Sequence, residues 1–335
     1  MQKIGVFIGR FQPFHNEHER IILENIDDYD NFCIVIGSSL KARDSKNPFT
    51  FEERVSMIKG SLTESQIQKT FFIKSVDHPD DTLWETNIIS NVNRTAFFLE
   101  KFDITLLCPK KDDSSYYLDM FSCWHKKEIE ISDNAINATD IRKSYFLGIS
   151  LPLYKNKIPK HTLNFLDNFK TSNNYITLQN DYKILKDIKE SWKNSPYPPV
   201  FVTSDTLVKY HNKYLFIKRA YDAYGANQIA IPGGYLEQGL SLAENAQKEL
   251  LEETNLKVPL DEFYFSDTFD NPSRSLRGRI ITQVFFVDIT SLNIDITQCN
   301  AGDDAGEIVW LTENDIADNQ ENFFEDHYFI TERFV

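Results

Sequence analysis

Basic residues are in short supply. Against 50 aspartates and glutamates the chain of 335 residues carries 36 lysines and arginines, a net charge of −14. General nucleic-acid binding depends on basic surface, so no nucleic-acid partner is expected. Any polyphosphate ligand must then be held by local cations or by a metal. Cysteine is scarcer still: Cys33, Cys108, Cys123 and Cys299 are scattered, with no Cys-x-x-Cys pair, which favours a reduced compartment. Long apolar runs are missing too. Met-Gln-Lys leads into only a handful of apolar residues, too few for a signal peptide. No window approaches the length of a transmembrane helix. A cytoplasmic protein with no membrane partner is the expectation. No internal repeat or long low-complexity tract is present. What remains is enough chain for two domains, with 41% hydrophobic residues and 13% aromatic ones to give each a core.

The first half is organised around Gly-Arg-Phe-Gln-Pro-Phe-His-Asn-Glu-His, residues 9–18. It follows the apolar run Ile4–Ile8 and leads into a helical pattern with Ile21, Ile22 and Ile26 on one face. A strand, a glycine turn and a helix start place backbone N–H groups and a dipole where a phosphate can sit. Arg10, His15 and His18 add side chains suited to polyanions. Phe32–Ile36, Phe71–Val76 and Phe102–Cys108 read as buried strands, with a weaker one at Glu128–Ile131. Helical segments at about 17–26, 51–60 and 84–99 separate them. The alternation predicts an α/β fold with a parallel, Rossmann-like sheet whose ligands bind at the carboxyl ends of the strands.

Two further clusters bear on that site. The loop from Ser38 to Pro48 holds Ser38, Ser39, Lys41, Arg43 and Lys46, followed by a Thr50/Glu53 capping box with Arg54 in the first turn. It suits a second anion, and equally a solvated surface loop. In Asn137-Ala138-Thr139-Asp140-Ile141-Arg142, Thr139 is predicted to cap the next helix with Arg142 at its third position. That is a second phosphate site, or an ordinary cap with a surface arginine.

Together, GRFQPFHNEH and ATDIR resemble the nucleotidyltransferase superfamily with HxGH and ISTxxR-type signatures, and within it the archaeal-type nicotinamide mononucleotide (NMN) adenylyltransferases. NPFTFEERVSMI, Asp77 with Trp84, and KKDDSSYYLDMF at 110–121 support the likeness. The resemblance implies ATP phosphates held by Arg10, His15, His18, Thr139 and Arg142, and an indole at Trp84 that stacks on nicotinamide. Taken alone, Trp84 reads as a core or interface tryptophan. Gly9, Phe11, Ser38, Lys41, Arg43 and Asp77 complete the expected nucleotide-binding set. One departure stands out: Glu17 occupies the position of the family's glycine in HxGH. It is expected to point away from the phosphates. Asn137-Ala138 also departs from the second signature.

From about residue 151 the pattern loosens. Pro152 and Pro159 precede a polar stretch, Thr171-Ser172-Asn173-Asn174, and Asp181–Trp192 reads as one amphipathic helix. Ser195-Pro196-Tyr197-Pro198-Pro199 then marks a stiff join. The expected division is a nucleotidyltransferase domain over 1–180, a linker helix and proline-rich join over 181–199, and a second domain over 200–335.

In that second domain Val200–Val208 and Lys213–Lys218 alternate as strands around a turn at His211-Asn212. After Pro232-Gly233-Gly234, Ser241 and Glu244 form a capping box. The helix that follows carries Glu249, Glu252 and Glu253 three and four residues apart. Alone, the three would suit a solvated acidic face. A divalent cation would relieve their repulsion. The whole string GGYLEQGLSLAENAQKELLEETNL resembles the Nudix box, an α/β/α sandwich element, with Glu249, Glu252 and Glu253 in the places of its metal ligands. Leu240, Lys248 and Asn255 depart from the pattern at its first glutamate, its arginine and its final glycine. Asparagine tolerates the left-handed cap, lysine loses bidentate geometry, and Leu240 removes an acidic group. Arg274, Arg277 and Arg279 crowd the loop ahead of the next strand, as ligand groups or as surface charges. With GDDAGEIVWL at 302–311 they resemble the Nudix ADP-ribose pyrophosphatases fused to such adenylyltransferases. Glu307 or the helix itself is the expected general base.

The resemblances imply a bifunctional enzyme of NAD metabolism. One domain transfers AMP from ATP to NMN, and the other hydrolyses ADP-ribose to AMP and ribose 5-phosphate. Mg²⁺, or Mn²⁺ in its place, is the expected cofactor, and self-association into a homo-oligomer is compatible with the sequence. The alternative is an adenylyltransferase for another acceptor, such as nicotinic acid mononucleotide or pantetheine phosphate, with a non-catalytic Nudix domain that senses ADP-ribose.

Overall fold

The computed structural model describes residues 2–78, 80–95, 102–109, 117–132, 135–149, 156–302 and 305–335. They fall into two compact units, Met1–Gln179 and Asn180–Val335. No helix among them is long and apolar enough to cross a membrane.

The first unit alternates β1 (Gln2–Gly9), α1 (Asn16–Asn25), β2 (Asn31–Ile36), α2 (Phe51–Lys59), α3 (Glu64–Gln68), β3 (Thr70–Lys74), α4 (Asp81–Thr95), β4 (Phe102–Pro109), β5 (His125–Ile129), α5 (Ala138–Phe146) and α6 (Lys160–Phe169). The strands form one sheet in the order β3-β2-β1-β4-β5, with every pairing parallel. Ile4, Val6, Phe7 and Ile8 of the central strand are all buried. A strand covered on both faces needs such a continuous apolar run. The chain moves outward from β1 through β2 and β3, then returns to the other side of β1 for β4. That reversal opens a crevice at the carboxyl ends of β1 and β4.

Several local expectations shift. The weak strand runs over His125–Ile129, not Glu128–Ile131, because its partner β4 sets the register from Thr105↔His125 to Pro109↔Ile129. Its polar sequence suits a sheet edge. Helix α3 was not expected, yet it carries its own Thr63/Gln66 capping box. Helix α4 begins at Asp81 because the Asp80 carboxylate accepts the Thr82 and Leu83 N–H groups at 2.8 and 3.2 Å. The loosened stretch is largely helical. Leu166 and Phe169 bury one face of α6, and the polar run after it starts helix α7 (Asn173–Ser191). There the Ser172 hydroxyl accepts the Tyr175 N–H at 3.2 Å, as a capping serine does. The division between the units falls within α7. Pro152 and residues 110–116 of the KKDDSSYYL segment lie outside the described residues, as do residues 303–304 of GDDAGEIVWL.

The second unit continues through β6 (Val200–Tyr210), β7 (Lys213–Arg219), β8 (Ile229–Ala230), β9 (Gly233–Tyr235), α8 (Leu242–Thr254), β10 (Ser266–Phe269), β11 (Arg279–Asp288), β12 (Ala305–Leu311), α9 (Glu313–Asp318) and α10 (His327–Glu332). The mixed sheet runs β10-β11-β6-β7-β12, with β8 on β7 and β9 on β6. Successive residues of one strand serve opposite faces. Val208 and Leu215 pack with Ala246 and Leu250 of α8, while Leu207 and Phe216 pack with Ile316 of α9 and Ile330 of α10. Helices on both faces make the α/β/α sandwich.

Candidate active sites

In the first unit, β1 delivers the chain to the crevice and α1 starts there. His15 is the N-cap of α1 and His18 its third residue, so the two imidazoles lie on one side of the helix start. Their rings stack with centroids 3.6 Å apart. The His15 N–H donates to His18 Nδ1 at 3.4 Å, and the neutral ring then carries its proton on Nε2. Phe11, with φ +53°, turns its buried ring edge-on to His18 at 4.9 Å. Gly9 makes room for it, since a Cβ there would stand 2.9 Å from the Phe11 ring.

The second cluster arrives on α5. Arg142 Nη1 donates to the Gln12 carbonyl at 2.5 Å, joining residues 130 apart in sequence. Its Nη2 donates to the Thr139 hydroxyl at 3.2 Å. Burial, and secondarily Arg10, lower the Arg142 pKa to about 10, so it stays cationic at neutral pH. The cap differs from expectation. Asn137, not Thr139, caps α5, its side-chain oxygen accepting the Thr139 N–H at 2.9 Å. Asparagine outranks threonine at that position. Glu17 does not face the crevice freely: Arg20 holds its carboxylate at 2.6 Å and the Ser132 hydroxyl at 2.7 Å.

The basic loop is tied into the fold by its own contacts. Arg43 grips both Glu53 oxygens at 2.6 and 2.9 Å, and Lys41 lies 3.9 Å from Asp44. Ser38, at φ +50°, donates to Asp77 at 2.7 Å. Trp84 is half-buried. Its indole N–H donates to the Ser75 hydroxyl at 3.0 Å, and its rings meet Tyr117 and Phe121 edge-on. Two organising residues were not read as such. Gln12 pairs its amide with both backbone groups of Phe49, at 2.9 and 3.0 Å. Arg54, fully buried, donates to the carbonyls of Thr50, Arg10, Gly37 and Ser38.

In the second unit, α8 lays its acidic face against the Gly233-Gly234 strand. The Glu253 carboxylate accepts the Gly233 N–H at 2.9 Å. A Cβ on Gly234 would stand 2.6 Å from the Glu249 carboxyl group, and one on Gly233 would stand 2.1 Å from Asp205 Oδ1. Only glycine lets the carboxylates come this close. Burial raises Glu253 to about 8, Glu249 to about 7 and Asp205 to about 6, with the charges of these three opposing one another. Glu252 departs from this group. Its carboxylate meets Lys248 at 2.6 Å, and Lys248 also meets Glu237 at 3.0 Å. Among the described residues, no three His, Cys, Asp or Glu side chains stand ready-grouped around one point. Asn255 takes the left-handed cap at φ +55°.

Beside the glycines lies a polar cavity of about 40 Å³ bordered by Asp205, Arg219, Tyr235, Arg274, Arg277 and His327, among others. That volume holds a few waters. Arg274 and Arg277 border it but are bound elsewhere, to Asp326 at 2.9 Å and Glu325 at 3.0 Å. Arg279 sits away from the lining beside Asp270, 3.9 Å off, and Glu307 on β12 pairs with Lys218 at 2.6 Å. Asp205 and His327 were missed. A lone aspartate inside an apolar strand pattern was the available signal for the first, and His327 offered none.

Comparison with known proteins covers both units. Residues 6–88 match the Cytidylyltransferase-like family and residues 202–334 the NUDIX domain family. A nicotinamide/nicotinic acid mononucleotide adenylyltransferase of Acinetobacter baylyi is 33% identical over 178 residues, 53% of this chain and 92% of that one. A nicotinamide-nucleotide adenylyltransferase of Thermococcus onnurineus is 29% identical over 51% of this chain and 85% of its own. The crystal structure of a bifunctional NMN adenylyltransferase/ADP ribose pyrophosphatase from Francisella tularensis, complexed with AMP and a manganese ion, superposes with a TM-score of 0.85. It is 30% identical and matches 99% of this chain and 98% of its own.

Proposed function

Since the chain belongs to the family of bifunctional NMN adenylyltransferase/ADP ribose pyrophosphatases, we propose the following division of labour. The first unit transfers AMP from ATP to NMN. The second hydrolyses ADP-ribose to AMP and ribose 5-phosphate.

In the first unit a phosphate oxygen of NMN attacks the α-phosphorus of ATP as the bond to the β-phosphate oxygen breaks. NAD and pyrophosphate are the products. Such transfer needs alignment and charge neutralisation rather than a nucleophilic side chain. His15, His18, Arg10, Thr139 and Arg142 supply both. The observation that supports the reading is the Arg142–Gln12 contact, a direct bond between the two sequence clusters. Trp84, Asp77 and Ser38 mark the acceptor side.

The second unit fits a divalent cation. Buried carboxylates that repel one another beside a glycine strand are hard oxygen donors in want of positive charge. Glu249 and Glu253 would hold Mg²⁺, or Mn²⁺ in its place, with Glu252 joining them by leaving Lys248. When bound, the cation neutralises the diphosphate and activates a water. The residues of the chain orient the substrate. Arg274 and Arg277, each locked by an acidic partner, offer a rigid cationic wall to it.

The test is product analysis of purified protein given Mg²⁺ with ATP and NMN, ATP and nicotinic acid mononucleotide, or ADP-ribose. NAD from the first mixture and AMP from the third are expected. Lack of NAD would overturn the first assignment. The salt bridge from Lys248 to Glu252 motivates a second reading of the Nudix unit, as an ADP-ribose sensor. Binding of ADP-ribose without AMP release would favour it.

A further inference from the structure

Glu17 lies in the first turn of α1, between the two histidines of the phosphate site. Its side chain is only 10% exposed. One oxygen takes an Arg20 hydrogen bond at 2.6 Å and the Ser132 N–H at 3.1 Å; the other takes the Ser132 hydroxyl at 2.7 Å. Arg20 in turn donates to the Glu130 carbonyl at 2.7 Å. Two adjacent points of the segment after β5 are therefore fastened to one turn of α1. Burial opposes ionisation here, yet the bonds from Arg20 and Ser132 hold the Glu17 carboxyl below the usual carboxylate range. The fastener is thus charged at neutral pH, when charge-assisted bonds are strongest.

Ser132 precedes the N-cap of α5, Asn137, by only five residues of chain. Ser132 is bonded through its carbonyl to the Ala135 N–H at 2.8 Å, and Asn137 opens the helix that carries Thr139 and Arg142. Helix α1 carries His15 and His18. Among the described residues the two halves of the proposed phosphate site are therefore joined at Arg142–Gln12 and at the Glu17/Arg20 contacts with Ser132 and Glu130. We propose that Glu17 is a positioning residue of adenylyl transfer, a staple that sets the separation of the histidine pair from Thr139 and Arg142. It rests on the reading of this crevice as the ATP site. Glu17 touches no phosphate itself. Its effect falls on the ligand that spans both halves, the triphosphate, and not on NMN.

The test compares wild type, Glu17→Ala, Ser132→Ala and the double variant. Each is followed by steady-state NAD synthesis, by the Kd of α,β-methylene ATP, and by melting temperature. Glu17→Ala should raise the ATP KM and the analogue Kd about tenfold, since small misplacements weaken multi-point binding, and leave the NMN KM within about twofold. Ser132→Ala should move ATP binding the same way by less. The double variant should match Glu17→Ala, because both remove one interaction. Glu17→Gln, which keeps the shape without the charge, should fall between and serves if the alanine variant does not fold. An unchanged ATP KM in an active, folded Glu17→Ala protein overturns the staple, as does an equal rise for NMN. A wild-type protein that makes no NAD overturns instead the reading of the site.

Discussion

The Arg54 guanidinium donates to the Gly37 carbonyl at 2.6 Å from a position with 0% exposure and no carboxylate among its hydrogen-bond partners. Its other bonds reach the Arg10, Ser38 and Thr50 carbonyls. One side chain thus ties the end of β1, the end of β2 and the start of α2. Burial drops its pKa to about 10, still high enough to keep the charge. Its cation stands behind the crevice proposed above for the triphosphate.

Arg54→Met should therefore harm both folding and ATP binding. It strands the Arg10, Gly37 and Ser38 carbonyls, while Thr50 keeps the backbone N–H of residue 54, and a loss of about 3 kcal/mol is expected from orphaned buried acceptors. Urea unfolding measures it. Arg54→Lys keeps the charge but not the fork. It should recover part of the stability while the ATP KM stays several-fold above wild type. Recovery of both by lysine would show that charge alone matters.

Glu253 gives a prediction on metal and pH together. Without a cation its carboxyl holds a proton to about pH 8, and metal binding must displace that proton. The apparent Mg²⁺ affinity for AMP release from ADP-ribose should rise between pH 7 and pH 9, then level off. Glu253→Gln keeps an acceptor for the Gly233 N–H but removes the charge. It should cut AMP release at least about a hundredfold and leave NAD synthesis untouched. A flat Mg²⁺ titration across that range would contradict the assignment.

Lys248 holds Glu252 and would compete for it with the proposed cation. Both carboxylates it bridges, Glu237 and Glu252, lie within 3.0 Å of its ammonium group. Exposed pairs are weak, so Lys248→Met should improve the Mg²⁺ concentration for half-maximal AMP release by only about two- to fivefold. With Leu240 in place of the box's first glutamate, Lys248 finds an acidic partner three residues earlier, at Glu237. Glu237→Ala should act in the opposite sense, leaving Lys248 to Glu252 alone and weakening metal binding.

Legibility in the sequence followed the reach of each interaction. The Gly-Arg-Phe run, the Thr50/Glu53 and Ser241/Glu244 boxes and the glutamates of α8 are patterns closed within a few residues, and each lies on the element expected. Helix α6 was hidden because Pro159 stands at its start and reads as a breaker, although proline is well tolerated at a helix beginning. The partners of Arg43, Arg274 and Arg277 could not be read at all. Arg274 finds Asp326 across 52 residues, a distance over which charge spacing carries no information. The clustered Arg274, Arg277 and Arg279 therefore looked available for ligands when each already had an acidic partner.

His327 makes the acid side of the stability curve predictable. It is buried, and its Nδ1 accepts the Ile231 N–H at 3.0 Å. Burial, then Arg274, Arg219 and Arg277, hold its pKa well below the ordinary value. In the unfolded chain it titrates near about 6.5. Below that pH the unfolded state binds a proton that the folded state refuses, so stability must fall as the pH drops. Above it both forms are neutral and the contribution is fully present. Asp205 works the other way, since its raised pKa favours the folded state at low pH. A subtraction is therefore needed. His327→Gln retains an acceptor without a titrating ring, and the difference in unfolding free energy between wild type and variant should change steadily from pH 7 to pH 5, wild type losing more. His327→Ala should instead cost about 1–3 kcal/mol at pH 7 by orphaning the Ile231 N–H. Parallel wild-type and glutamine curves across that range would mean that His327 takes up its proton inside the fold, and that the three arginines do not set its charge.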